Sequence, residues 1–275
     1  MGGITKTFIL MVFMLGLFMA IGYALGGYSG AFIALIIGSF TNLLAYWNAD
    51  KMVLAHYKAK PINKDHMPDL YEITQMLADN ANLPMPKLYL IENPQPNAFA
   101  TGRNPQNAVV AVTTGLLDTL SLEETAGVIA HELGHVKNHD MLIMTIAASF
   151  SGAISLLAHF AMFMPRGDNN RGGAISALAL MILAPMAAAL VQMAISRTRE
   201  YEADRLGAEI SGRPEWLADA LEKISVKAQM IPNIPAENNE GTAHLFIVDP
   251  LRGLQRLFAT HPSTEERVKR LRMMT

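Results

Sequence analysis

The run His131-Glu132-Leu133-Gly134-His135 holds the residues whose types and spacing point most directly to chemistry. Residues four apart share one face of a helix, so the two imidazoles can offer nitrogens to a single metal ion. Glu132 projects beside them, where a carboxylate can take a proton from water in the ion's open position. The chain contains no cysteine, so a transition metal must be held by His, Asp or Glu. That donor set suits zinc. The spacing implies one zinc ion per chain and metal-assisted hydrolysis with Glu132 as general base.

Zinc needs a third protein ligand. His139 continues the same face, but eight residues of helix separate donors by about 12 Å along the axis, whereas zinc–nitrogen bonds are near 2 Å. The third ligand must therefore come from farther along the chain. Ser196-Arg197-Thr198-Arg199-Glu200-Tyr201-Glu202-Ala203-Asp204 carries carboxylates at Glu200 and Asp204, which share a helical face. A Glu-x-x-x-Asp helix after a His pair is the gluzincin arrangement.

The elements that must position these groups are legible in outline. Ser121-Leu122-Glu123-Glu124 is a capping box, so a helix is expected to start there and to run through His139. Met67 to Asn80 places Leu70, Ile73, Met76 and Leu77 at helical spacing. Short β-like runs between Lys87 and Thr114 (KLYLIE, NAFAT and NAVVAVT) imply a small antiparallel sheet. Arg213 to Gln229 reads as a helix, and the Pro- and Asn-rich Ile231 to Thr242 as a loop.

Four apolar runs frame this polar chemistry. Thr7 to Leu25 and Ala31 to Trp47 are joined by a Gly-rich turn at Gly26 to Gly30 and form a transmembrane hairpin ending in Tyr46 and Trp47. The third and fourth, Met141 to Met164 and Ala174 to Ile195, are each long enough to span. His159 lies within the third and reads as a neutral histidine bonded to a neighbouring helix, since no carboxylate accompanies it at that depth. Lysines cluster after Trp47 and none lies between the first two runs, so the positive-inside bias puts the catalytic part in the cytoplasm.

Composition agrees. Hydrophobic residues make up 51% and charged residues 17%, against about 25% charged in soluble chains. The net charge of −2 provides no footprint for nucleic acid, which is excluded as a partner.

HELGHVKNHD, then SRTREYEAD, then THPS together resemble the HtpX family of membrane zinc metalloproteases over nearly the whole chain. The resemblance implies an α+β fold: a mainly helical gluzincin-type domain with a small antiparallel sheet, plus four transmembrane helices. It implies an integral protein of a prokaryotic plasma membrane, with a cytoplasmic catalytic domain that degrades membrane or misfolded proteins. It also makes Glu200 the third zinc ligand, Asp204 the partner of a ligand histidine, and Pro96-Asn97-Ala98-Phe99 the substrate-binding edge, with Asn97 and Ala98 at its centre.

His261 matches a histidine thought to position substrate or stabilise the oxyanion; with Ser263-Thr264-Glu265-Glu266 forming a capping box, it equally suits a helix start. Residues two apart point about 200° from each other on a helix, so Glu202 faces away if Glu200 faces the histidines.

The expected organisation is a helical hairpin over 1–50 and a first catalytic part over 51–140. A second transmembrane pair over 141–197 and a second catalytic part over 198–275 complete it. CAAX prenyl proteases share the ligand set around seven spans, which four apolar runs do not match. A scaffold with purely structural zinc would need no Glu132 and would fill the fourth position.

Overall fold

A computed structural model describes residues 3–147, 197–238, 245–248 and 262–274. The first helix, α1 (Gly3–His56), folds back on itself. Gly27 takes φ +60°, a left-handed conformation that glycine adopts without steric cost. Beyond this turn Asn42 donates to the Met11 carbonyl at 3.0 Å, a contact that a straight helix could not make. Gly27–Asn48 is long and apolar enough to cross a membrane, with mean hydropathy 1.6, and Thr7–Ala20 is a shorter apolar stretch. Phe8, Phe13, Phe32, Ile36 and Phe40 stand exposed along the two arms.

Of the two expected spans that fall among the described residues, the second, at Gly27–Asn48, meets the length and composition for crossing, and the first is the shorter apolar stretch Thr7–Ala20. Residues 141–147 begin a helix, but the rest of the second apolar pair, with His159, lies outside the described residues, as does His261.

The sheet has strand order β1-β2-β4-β3, formed by β1 (Lys60–Pro61), β2 (Lys87–Ile91), β3 (Ala98–Thr101) and β4 (Val109–Thr113). It is mixed, not antiparallel as expected: β2 and β4 run parallel, whereas β1 pairs with β2 and β3 with β4 antiparallel. Two successive chain reversals, after β2 and after β3, return β4 to the direction of β2. Apolar runs carry no directional signal, so this was not legible locally. β4, VVAVT, is buried throughout, as a central strand requires.

Helix α2 (Pro68–Ala81) precedes β2; a short turn α3 (Thr114–Leu117) and the central helix α4 (Leu122–Lys137) follow β4. Then come α5 (Arg197–Ser211), α6 (Pro214–Met230), α7 (Ile234–Asn238) and α8 (Thr264–Arg272). The expected loop from Ile231 thus contains a short helix, α7.

α4 opens on the anticipated capping box, with the Glu124 amide donating to Ser121 Oγ and the Ser121 amide to Glu124 Oε2. It closes at Lys137, two residues before the expected His139. From Glu124 to Val136 it is buried on every side, packed among α2, α5, α6 and the sheet. The opposite face of the sheet packs on α1 and residues 142–147 through Tyr57, Phe99 and Phe246.

Candidate functional site

The burial of α4 puts His131, Glu132 and His135 inside the protein, at 0%, 2% and 4% exposure. Their neighbour is α5, which approaches α4 backbone to backbone. A side-chain carbon added at Gly207 would lie 2.9 Å from the His131 Cα and amide nitrogen, and one at Gly134 would lie 3.0 Å from the Ala203 carbonyl oxygen. Two glycines thus bring Glu200 within reach of the histidines. His135 Nε2 is 3.5 Å from Glu200 Oε1, and His131 Nε2 is 3.9 Å from Glu200 Oε2.

Ligand atoms of His131, His135 and Glu200 all lie within 4.8 Å of one another. A tetrahedral ion with bonds near 2.1 Å holds its ligands about 3.4 Å apart, so two imidazoles and a carboxylate at these separations fit zinc. The two rings stand edge to face, 4.8 Å between centroids.

Each imidazole turns its other nitrogen to a carboxylate. His131 Nδ1 lies 2.9 Å from Asp204 Oδ1, and His135 Nδ1 lies 3.5 Å from Asp140 Oδ2. Arg267, on α8 and fully buried, grips Asp204 through Nε at 2.9 Å and Nη2 at 2.7 Å, and its Nη1 donates to the Ile247 carbonyl at 2.8 Å. The same guanidinium stands 3.8 Å from Glu200 Oε2.

These surroundings set the proton affinities. Burial, reinforced by the Arg267 charge, pushes His131 down to about 4 against the pull of Asp204. Burial acts the same way on His135, but the Asp140 hydrogen bond and the charges of Glu200 and Glu132 outweigh it and push it up to about 9. Burial and then Glu200 push Glu132 up to about 7, opposed by His135 and by a hydrogen bond from the Ala100 amide. Burial would raise Asp204, yet Arg267 and His131 hold it below the usual carboxylate range.

Of the residues singled out by sequence, the structure brings together His131, Glu132, His135, Glu200 and Asp204. Glu202 faces away, paired with Arg205 at 2.6 Å. Asn97 and Ala98 are buried, and their edge of β3 is met by the chain itself. The Ile247 amide donates to the Ala98 carbonyl at 3.0 Å, and Asn97 Nδ2 donates to the Val248 carbonyl at 2.9 Å. Phe246 anchors this segment against Tyr57 and Phe99, with ring centroids 5.2 and 5.3 Å away.

Sequence reasoning missed Arg267, Asp140 and the segment 245–248. Arg267 shares the buried face of α8 with Val268 and Leu271, and an arginine within that spacing was the available signal. Leu245-Phe246-Ile247-Val248 is a β-like apolar run that could have been noticed.

A solved structure with a similar fold is Ste24p of S. mikatae, at TM-score 0.51 and 20% identity, covering 98% of this chain and 65% of that one. The chain therefore spans less than two thirds of that protein's length. The model of Peptidase family M48 matches residues 65–275, which takes in the HExxH helix, α5 and α8. On that match, the chain belongs to peptidase family M48, whose members are metallopeptidases that use zinc.

Proposed function

We propose that this chain is a membrane-embedded, zinc-dependent endopeptidase of the HtpX type, cleaving exposed cytoplasmic segments of membrane or misfolded proteins. The observation that carries the reading is the buried convergence of His131, His135 and Glu200 with Glu132 one residue from a ligand. These three residues would hold one zinc ion, which supplies Lewis-acid polarisation of the scissile carbonyl and an open coordination position.

Glu132 does the proton work. Its carboxylate, held by the Ala100 amide, takes a proton from the attacking water and returns it to the leaving amide nitrogen. Asp204 fixes His131 with Nδ1 outward and Nε2 toward Glu200. His261 is a candidate for contact with the substrate carbonyl oxygen.

The substrate lies along β3 as an added strand, a mode in which main-chain hydrogen bonds give affinity with little sequence preference. Pairing at Asn97 and Ala98 requires residues 246–248 to leave that edge. The exposed apolar arms of α1 support embedding in a bilayer. So does Trp47, at the polar end of the second arm, where Arg103 stacks 4.4 Å over its ring.

The test is zinc content and casein cleavage of the purified full chain, with and without chelator, beside Glu132→Gln. The wild type should carry one zinc and cleave, and the variant should keep its zinc and lose cleavage. Substantial cleavage by zinc-loaded Glu132→Gln would remove the assigned base. Cysteine introduced at Asn238 in intact cells tests orientation, since labelling by an impermeant outside reagent contradicts a cytoplasmic site.

A further inference from the structure

We propose that Asp140, held by Arg199, is a positioning residue for His135: it fixes the ring so that Nε2 faces the metal position, as Asp204 does for His131. The inference rests on zinc occupying the His131, His135 and Glu200 group.

The geometry begins with how α4 ends. The His139 amide donates to the Val136 carbonyl at 3.2 Å, the Asp140 amide donates to the His135 carbonyl at 3.0 Å, and His139 takes φ +58°. This pair of bonds around a left-handed residue is a Schellman motif. It turns the chain back under the last helical turn, so a residue five positions after His135 comes beside the ring it follows. The Asp140 carboxylate, 4% exposed, thereby sits 3.5 Å from His135 Nδ1.

Asp140 is tied to the helix that brings Glu200. Arg199 Nη1, on α5, stands 3.6 Å from Asp140 Oδ1, one residue before Glu200. The two histidines are therefore served alike: each Nδ1 meets a buried carboxylate, and each carboxylate meets an arginine. Carboxylates behind ligand histidines fix tautomer and ring orientation and raise ligand basicity.

A plain structural role competes with this reading, because Asp140 also precedes the helix at 141–147 and its carbonyl accepts from the Met144 amide at 3.2 Å. Asp140→Ser separates the two. Serine caps a helix as well as aspartate does but has no carboxylate to reach His135.

Full-length wild type, Asp140→Ser and Asp140→Asn are compared by zinc dissociation constant, by the visible spectrum of the cobalt-substituted protein, and by metal-free melting. The Ser variant should bind zinc roughly ten-fold to a hundred-fold more weakly, with an altered cobalt spectrum and a cooperative metal-free melting transition, lowered only by loss of the carboxylate's pairs with His135 and Arg199. The Asn variant, which keeps an acceptor without the charge, should fall between. Zinc affinity of the Ser variant within about two-fold of wild type, with the same cobalt spectrum, overturns the inference. Should the Ser variant lose its cooperative transition, the Asn variant decides by the same threshold. A wild type that takes up no zinc overturns the metal reading and this inference together; a wild type that binds one, matched by both variants, overturns this inference alone.

Discussion

Gly207→Ala tests whether the site depends on the close approach of α4 and α5. The new methyl carbon would lie 2.9 Å from the His131 Cα and amide nitrogen and 3.2 Å from the Ala130 carbonyl carbon, all of them backbone atoms that cannot rotate aside. Carbon atoms in contact sit about 3.5–4.0 Å apart, so α5 must withdraw by at least about 0.6 Å. Zinc sites tolerate ligand displacements of about 0.2 Å. Glu200 rides on α5 two turns before Gly207, so the same withdrawal carries it away from both histidines.

Two effects on stability oppose each other. Alanine in a helix interior gains about 1 kcal/mol over glycine, whereas overpacking costs about 1–3 kcal/mol. The expected net is no gain to a loss of about 2 kcal/mol, with zinc affinity reduced at least about ten-fold and cleavage by about a hundred-fold. Metal-free melting, a zinc competition titration and casein cleavage read the three quantities. A variant that melts higher by about 2–4 °C, as the helix gain alone predicts, and that keeps zinc and activity would refute the close approach as the device that builds the site.

Glu200→Gln should lower zinc occupancy sharply and eliminate cleavage, whereas Glu202→Gln, which loses only an exposed pair with Arg205, should keep both; metal content after dialysis against a weak chelator separates them. Zinc binding at pH 8 should release about one proton, from His135, because its metal-free value is about 9 while His131 at about 4 is already neutral. Zinc affinity should therefore rise with pH until about 9, measured by calorimetry in buffers of different ionisation enthalpy; a pH-independent affinity contradicts this. The sign reverses for metal-free stability: a histidine raised on folding contributes fully below about 6.5 and loses its contribution as pH rises through about 9. His139→Gly should stabilise the chain by up to about 1 kcal/mol, since glycine takes the left-handed φ without a Cβ clash, and a lower melting temperature would count against the turn described.

Features set within one or two helical turns were readable from residue order. His131, Glu132 and His135 follow from helical repeat, the start of α4 from Ser121 and Glu124, and the opposite facing of Glu200 and Glu202 from the same repeat. The apolar arms on either side of Gly27 were legible because length and composition carry that signal. The end of α4 was misread by two residues, since a histidine in the left-handed conformation carries no glycine signal.

What only tertiary structure decided are the pairings between segments far apart in the chain. Arg267 reaches Asp204 across 63 positions, and Asn97 holds Val248 across 151. Strand direction in the sheet was equally invisible, because β2 and β4 become parallel through two reversals that no apolar pattern records. Residue order determines local hydrogen bonding and which face of an element is apolar. Which faces meet depends on packing among all elements at once, and here that packing, through Gly134 and Gly207, sets the distances between the histidines and Glu200.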